Sequence, residues 1–150
     1  MELGAQKLWT VFRRHPWLAQ LGSLTRPLLL PNLMTHAEWA LSALEGHGLD
    51  PVTMLDVHAL LYCYVEGVAV NLERETQAAA ATGLSGDEWI EQQAAAFPVA
   101  VDETRRPALF KVFKAVESAD GYDLRLDALF TLGLTSLLDG LAAVVERPAS

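Results

Sequence analysis

The chain has 150 residues, of which 51% are apolar and 20% are charged, and its formal net charge is −8. This length predicts a single domain over residues 1–150. The acidic balance disfavours a nucleic-acid groove on most of the surface, and the lone cysteine, Cys63, excludes an intramolecular disulfide. No stretch reaches the roughly 18 uninterrupted apolar residues of a membrane span, and no secretory signal precedes the first helix. A cytoplasmic protein without a membrane partner is expected.

Helical periodicity dominates the sequence and strand signals are nearly absent, so an all-α fold is predicted. In chain order, the predicted helices cover residues 2–15, 17–21, 31–46, 51–79, 87–97 and 104–118, and a last helix that follows an N-cap at Asp123 and ends near residue 146. Residues 76–86 are predicted to be a frayed helix end and a loop. Leu8, Trp9, Val11 and Phe12 are expected to face inward from the first helix.

The long helix predicted over residues 51–79 and the last helix have more apolar surface than one chain can cover. Between Met54 and Leu72 the only formal charges are Asp56 and Glu66. Interior glycines, Gly67 in the long helix and two in the last helix, each cost about 1 kcal/mol relative to Ala, which indicates close approach of another helix. A symmetric homodimer through these two helices is expected, with an interface at Gly67, Phe130, Gly133, Leu137, Gly140 and Leu141.

Signals of catalysis and of metal binding are weak throughout the chain. Cys63 and His58 are five residues apart, which puts them on different helix faces, and the sequence predicts a buried structural thiol. No two histidines stand three or four residues apart, as an HExxH-type metal site requires, and there is no glycine-rich phosphate loop. Asp127 is expected on a solvated helix face. We therefore expect no enzyme, no metal and no cofactor.

The aromatic and imidazole groups leave two interpretations open. Eight aromatic residues come from several helices, and they either form an ordinary core or surround a cavity for a small molecule: Trp9, Phe12, Trp17, Trp39, Tyr62, Tyr64, Phe110 and Phe113. The cavity is favoured by Ala37 and Ala40, which leave room on an inward face, and by His58 and Tyr62, which share a helix face as hydrogen-bonding groups.

Four stretches together resemble the C-terminal effector-binding and dimerisation domain of the tetracycline-repressor (TetR) type transcription regulators. They are Arg14-His15-Pro16-Trp17-Leu18-Ala19, Thr25-Arg26-Pro27 with the helix that ends in Gly48-Leu49, Tyr62-Cys63-Tyr64-Val65-Glu66-Gly67, and Phe130-Thr131-Leu132-Gly133-Leu134 with Leu137-Leu138-Asp139-Gly140-Leu141. In order and at family-like spacing, they cover nearly the whole chain.

The resemblance implies an all-helical domain whose long and last helices form a four-helix bundle with their symmetry mates. It also implies a pocket for an effector, lined by Leu8, Thr25, Leu33, Ala37, Ala40, Leu41, Leu55, His58 and Tyr62. The helix-turn-helix domain of full-length relatives, through which they contact DNA, is not expected in this chain, so these residues alone are not expected to bind DNA specifically. Gly22 and Asn71 stand where tetracycline repressors have a metal-coordinating histidine and an acidic residue, so magnesium–tetracycline is a poor candidate for the ligand.

The sequence therefore predicts a non-enzymatic regulatory domain of a transcriptional repressor that dimerises and binds a small apolar or aromatic effector. The alternative is a truncated homologue that does not bind DNA and that acts as an interaction partner of a full-length TetR-type regulator.

Overall fold

A computed structural model describes residues 1–22, 26–93, 101–118 and 125–146. These residues contain no β-strand, and the prediction of an all-α fold is confirmed. Six α-helices and one short 3₁₀ helix follow in order: α1 Glu2–Arg14, the 3₁₀ helix Pro16–Gln20, α2 Pro31–Ser42, α3 Pro51–Thr82, α4 Gly86–Gln93, α5 Pro107–Ser118 and α6 Leu126–Val145.

Local chemistry explains most of the helix ends. Asp50 caps α3, because its carboxylate accepts hydrogen bonds from the backbone N–H groups of Val52 and Thr53 at 3.0 and 3.1 Å. The helix continues to Thr82, three residues beyond the prediction, and ends where Gly83 takes a left-handed φ of 73°. Prolines 31, 51 and 107 each stand at the first position of a helix.

Three helix boundaries differ from the prediction. Helix α2 ends at Ser42 and not at residue 46. Beyond it, backbone hydrogen bonds join residues three apart, as from the Leu44 N–H to the Leu41 carbonyl, and not four apart as in an α-helix. Helix α5 begins at Pro107 and not at residue 104. Helix α4 begins at Gly86 and not at residue 87. Ser85 and Glu88 hydrogen-bond each other there as a capping box, which sequence analysis overlooked. The predicted N-cap Asp123 and the end of the fourth helix at residue 97 lie outside the described residues.

The chain divides into two compact units, Met1–Arg74 with Leu126–Ser150, and Glu75–Arg125. The core of the first unit joins α1, the 3₁₀ helix, α3 and α6, and its buried residues are Ala5, Trp9, Phe12, Ala19, Leu61, Val65, Ala69, Phe130 and Leu134. The Trp9 and Phe130 rings stack with their centroids 4.8 Å apart. Val11 was expected in this core, but it is 44% exposed.

In the second unit, the described residues of α4 and α5 are mostly exposed. Trp89 and Ile90 on α4 are about half exposed, at 49% and 51%. Leu109 and Val112 on α5 are likewise exposed. Phe110 and Phe113 belong to this unit, and within the first unit Trp17 and Trp39 are exposed. Of the six singled-out aromatic residues in the first unit, Trp9 and Phe12 are thus buried in the core, whereas Trp17 and Trp39 are not.

Candidate functional site

A small apolar pocket lies between α1, α2 and α3 in the first unit. Its lining residues are Gly4, Ala5 and Leu8 from α1, His36 and Ala40 from α2, and His58, Leu61, Tyr62 and Val65 from α3. Their spacing of three, four and seven residues within each helix places them on one face. The free volume is about 10 Å³, which is room for about one water molecule. Small-molecule sites measure about 300–1,000 Å³, so an effector requires the helices to move apart.

Two imidazoles meet across the pocket from α2 and α3. The ring centroids of His36 and His58 are 6.2 Å apart, and His36 Nε2 lies 3.4 Å from the Gly4 carbonyl oxygen. Among the described residues, no hydrogen-bond partner is found for the His58 ring. Burial and the nearby His36 imidazole lower the pKa of His58 below its usual value of 6.5. The ring is thus neutral at neutral pH, with one donor and one acceptor nitrogen.

Tyr62 is the third polar side chain of the pocket. Its hydroxyl lies near the Glu66 carboxylate, one turn later on α3. Burial, together with the negative charge of Glu66, raises the pKa of Tyr62. The hydroxyl also faces Gly22, where an added Cβ would lie 3.9 Å away. Tyr62 therefore remains a neutral phenol at neutral pH.

The structure brings together four of the nine residues predicted to bind the effector, namely Leu8, Ala40, His58 and Tyr62. Ala37 and Leu41 are half-buried on α2 outside the pocket lining, whereas Leu33 and Leu55 are 37% and 55% exposed. Thr25 lies outside the described residues.

Sequence analysis missed five lining residues: Gly4, Ala5, His36, Leu61 and Val65. A signal for His36 was present, because it stands four residues before Ala40 and so shares its helix face.

Two residues of the predicted dimer interface are used inside the protomer. Phe130 is 5% exposed and packs on Trp9. Gly133 accommodates the Tyr64 ring, since a Cβ there would lie 2.6 Å from Tyr64 Cε2. Leu137 and Leu141 are half-buried. At Gly67 and Gly140, a Cβ would meet no atom within 4 Å.

The outward face of α6 is apolar or small along its length. Its residues, here called the outer stripe, are all exposed: Leu129, Leu132, Ser136, Gly140 and Ala143. Leu132 has 67% of its surface exposed. Spacings of three, four and seven residues place the five side chains on one helix face. Sequence analysis had drawn this face through Gly133, which lies toward α3.

Two helices, Pro51–Thr82 and Leu126–Val145, are long and apolar enough to cross a membrane by length and composition alone. Only 22% and 11% of their most apolar windows are buried within the chain. Core helices of soluble proteins also meet this criterion, so it is weak evidence for a span. It does show that both helices have apolar surface that the chain itself leaves uncovered.

The two positions compared with tetracycline repressors carry no acidic or imidazole group here. The Asn71 amide donates hydrogen bonds to the carbonyls of Gly67 and Val68 on its own helix. Within the described ranges, no group of three or more His, Cys, Asp or Glu side chains is arranged to hold a metal ion.

Comparison with known proteins agrees with this architecture. The chain is 28% identical over 147 residues to the HTH-type transcriptional repressor DrrR1 of Streptomyces coeruleorubidus, and the match covers 98% of this chain and 52% of that protein. The chain thus spans about half the length of this relative. The family model described as tetracyclin repressor-like, C-terminal domain, matches residues 2–145. The chain therefore belongs to the family of tetracycline repressor-like C-terminal domains, which is a family of transcription regulators.

Proposed function

We propose that residues 1–150 are the effector-binding and dimerisation domain of a cytoplasmic TetR-type transcriptional repressor. The domain has no catalytic activity of its own, and it acts on DNA only through a helix-turn-helix domain. The observation that carries the proposal is the pocket between α1, α2 and α3, where apolar walls meet His36, His58 and Tyr62. An apolar enclosure with a few polar groups that fix orientation is the usual form of a small-molecule site.

The second element of the proposal is a homodimer through α3 and α6. Monomers rarely expose contiguous apolar patches above a few hundred Å². Most described residues of α6 are exposed, and α3 exposes Val52, Leu55 and Leu60. A two-fold axis lets the outer stripe of one copy cover that of another. The proposed interface retains Gly67, Leu137, Gly140 and Leu141 from the sequence prediction and adds Leu129 and Leu132. Phe130 and Gly133 are left out of the proposed interface, because they pack inside the protomer.

Ala40 provides the test of effector binding. It is 4% exposed and lines the pocket, so Ala40→Phe places a ring where the ligand would lie. In a thermal-shift screen of small apolar compounds, an effector at 100 times its Kd should stabilise the native chain by about 2.7 kcal/mol. The same compound should stabilise Ala40→Phe much less. Because the pocket has little free volume, the substitution itself should cost about 1–3 kcal/mol.

Ala43→Phe is the matched control, because Ala43 is exposed at the end of α2 and makes no part of the pocket. It should keep the full ligand-induced shift. An effector that stabilises the Ala40→Phe and Ala43→Phe variants equally would show that it binds elsewhere. A chain that no compound stabilises, but that co-purifies with a full-length regulator, would favour the interaction partner instead.

A further inference from the structure

We infer that the pocket takes an uncharged, flat aromatic ligand that inserts between His36 of α2 and His58 of α3 and hydrogen-bonds the His58 ring. This inference rests on the proposed effector function and specifies the chemistry of the same pocket.

The lining excludes an ionised ligand group at this depth. None of the nine lining residues is Lys, Arg, Asp or Glu. A buried ionised group without a partner of opposite charge is strongly unfavourable. The titratable groups that face His58 are His36 from α2 and Tyr62 from α3 itself, while α1 presents only Gly4, Ala5 and Leu8. The Glu66 carboxylate lies near the Tyr62 hydroxyl outside the pocket lining, and burial raises its pKa.

The two imidazoles have a spacing that suits a flat ring. A ring stacked between two others requires about 7 Å between the outer rings, which is twice the contact distance of about 3.5 Å. The His36 and His58 centroids are 6.2 Å apart and the rings are tilted by 45°, so insertion requires a widening of about 1 Å and a rotation of the two rings toward parallel. The His58 ring nitrogens, for which the described part of the chain supplies no partner, then offer a donor and an acceptor to a hydroxyl or carbonyl group on the ligand.

Helix α2 is the wall that moves in this scheme. Along its 12 residues, only Ala40 is buried. Its approach to α1 runs over Gly4, where an added Cβ would lie 3.0 Å from Trp39 Cζ3 and 3.6 Å from His36 Nε2. Since Leu33, Met34 and Trp39 are already 37–46% exposed, a small outward shift of α2 uncovers little additional core.

Three naphthyl compounds that share one ring system test the charge preference. At pH 7.5, naphthol should raise Tm and change tryptophan fluorescence, whereas naphthoate and naphthylmethylammonium should do neither at the same concentration. Preferential binding of either ion would overturn the inference. If none of the three binds to a chain that another effector stabilises in the Ala40 test, this inference falls and the proposed function stands. Failure of the Ala40 test itself removes both.

Substitutions at His58 test the hydrogen bond. His58→Phe keeps a flat ring but removes both nitrogens, so naphthol affinity should fall about fivefold to tenfold. His58→Gln restores a donor and an acceptor and should recover part of that loss. His47→Phe, in the exposed turn after α2, is the control and should bind as the native chain does. Equal affinity in all four proteins would overturn the role of His58.

The pH profile provides an independent readout. A neutral ligand that packs against His58 favours the uncharged ring, so naphthol affinity should decrease as the pH falls through the pKa of His58, which burial holds below its usual value of 6.5. An anionic ligand would show the opposite slope. In His58→Phe, naphthol affinity should no longer depend on pH in this range. If its pH dependence were unchanged in that variant, another group would take up the proton, and the inference would be contradicted.

Discussion

Gly133 is the residue whose missing side chain has a definite cause in this structure. Tyr64 of α3 reaches over it, and the phenol hydroxyl donates to the carbonyls of Leu129 and Phe130 at 2.9 and 2.7 Å. In most helix interiors, Gly→Ala stabilises by about 1 kcal/mol. Gly133→Ala should instead destabilise by about 1–3 kcal/mol, because the new methyl group overlaps the Tyr64 ring. Urea denaturation measures the change.

A double-mutant cycle assigns that cost to its partner. In a Tyr64→Ala background the ring is gone, so Gly133→Ala should become neutral or stabilising. Thr135→Ala is the matched control, since Thr135 is exposed on the same helix outside the proposed interface, and it should be neutral or stabilising in the native background. A destabilisation by Gly133→Ala that persists without the Tyr64 ring would contradict the assignment.

At the scale of helices, Asp127 connects the first turn of α6 to α1. Its carboxylate accepts a hydrogen bond from Trp9 Nε1 at 2.8 Å and pairs with Arg13. The Arg13 hydrogen bond and then the Trp9 hydrogen bond lower the pKa of Asp127. The stabilisation is therefore present above the unfolded-state pKa near 4 and is lost as the pH falls through the folded-state value. Asp127→Asn should cost about 1 kcal/mol or less at pH 7, because the pair is exposed, and the difference should shrink at pH 3. Asp139→Asn on the same helix is the control, and a cost that stays constant with pH would contradict the ion pair.

Sequence reasoning succeeded where the cause of a feature is local. The Asp50 cap and the prolines that begin α2 and α3 depend on neighbouring residues, and the starts of both helices were predicted. Asp127 was expected only to face solvent. Its contacts with Trp9 and Arg13 were not predicted, because these partners are 118 and 114 residues away. The Ser85–Glu88 capping box was local, and the pattern was available but overlooked.

Some residues of the candidate site were likewise predicted from a pattern within one helix, and others were not. His58 and Tyr62 were predicted, since they share a face of one helix at a spacing of four residues. His36 stands four residues before Ala40, so its helix face was available from the sequence, but its position opposite His58 depends on the approach of α2 to α1 over Gly4. Gly133 was assigned to a contact between copies because nothing in its own helix indicated that Tyr64 of α3 covers it.

At the scale of the whole molecule, the outer stripe of α6 is the surface that the proposed dimer must cover. Leu132 is 67% exposed in the protomer, so Leu132→Glu should leave the fold of one copy intact and place a charge against an apolar partner surface. Burying an unpaired carboxylate at an interface costs several kcal/mol, which should shift the chain from dimer to monomer at micromolar concentration in analytical ultracentrifugation. Thr135→Glu, exposed on the same helix beside the stripe, adds the same charge and should leave the dimer intact. A native chain that sediments as a monomer at that concentration, or a Leu132→Glu variant that dimerises as the native chain does, would rule out pairing through this face.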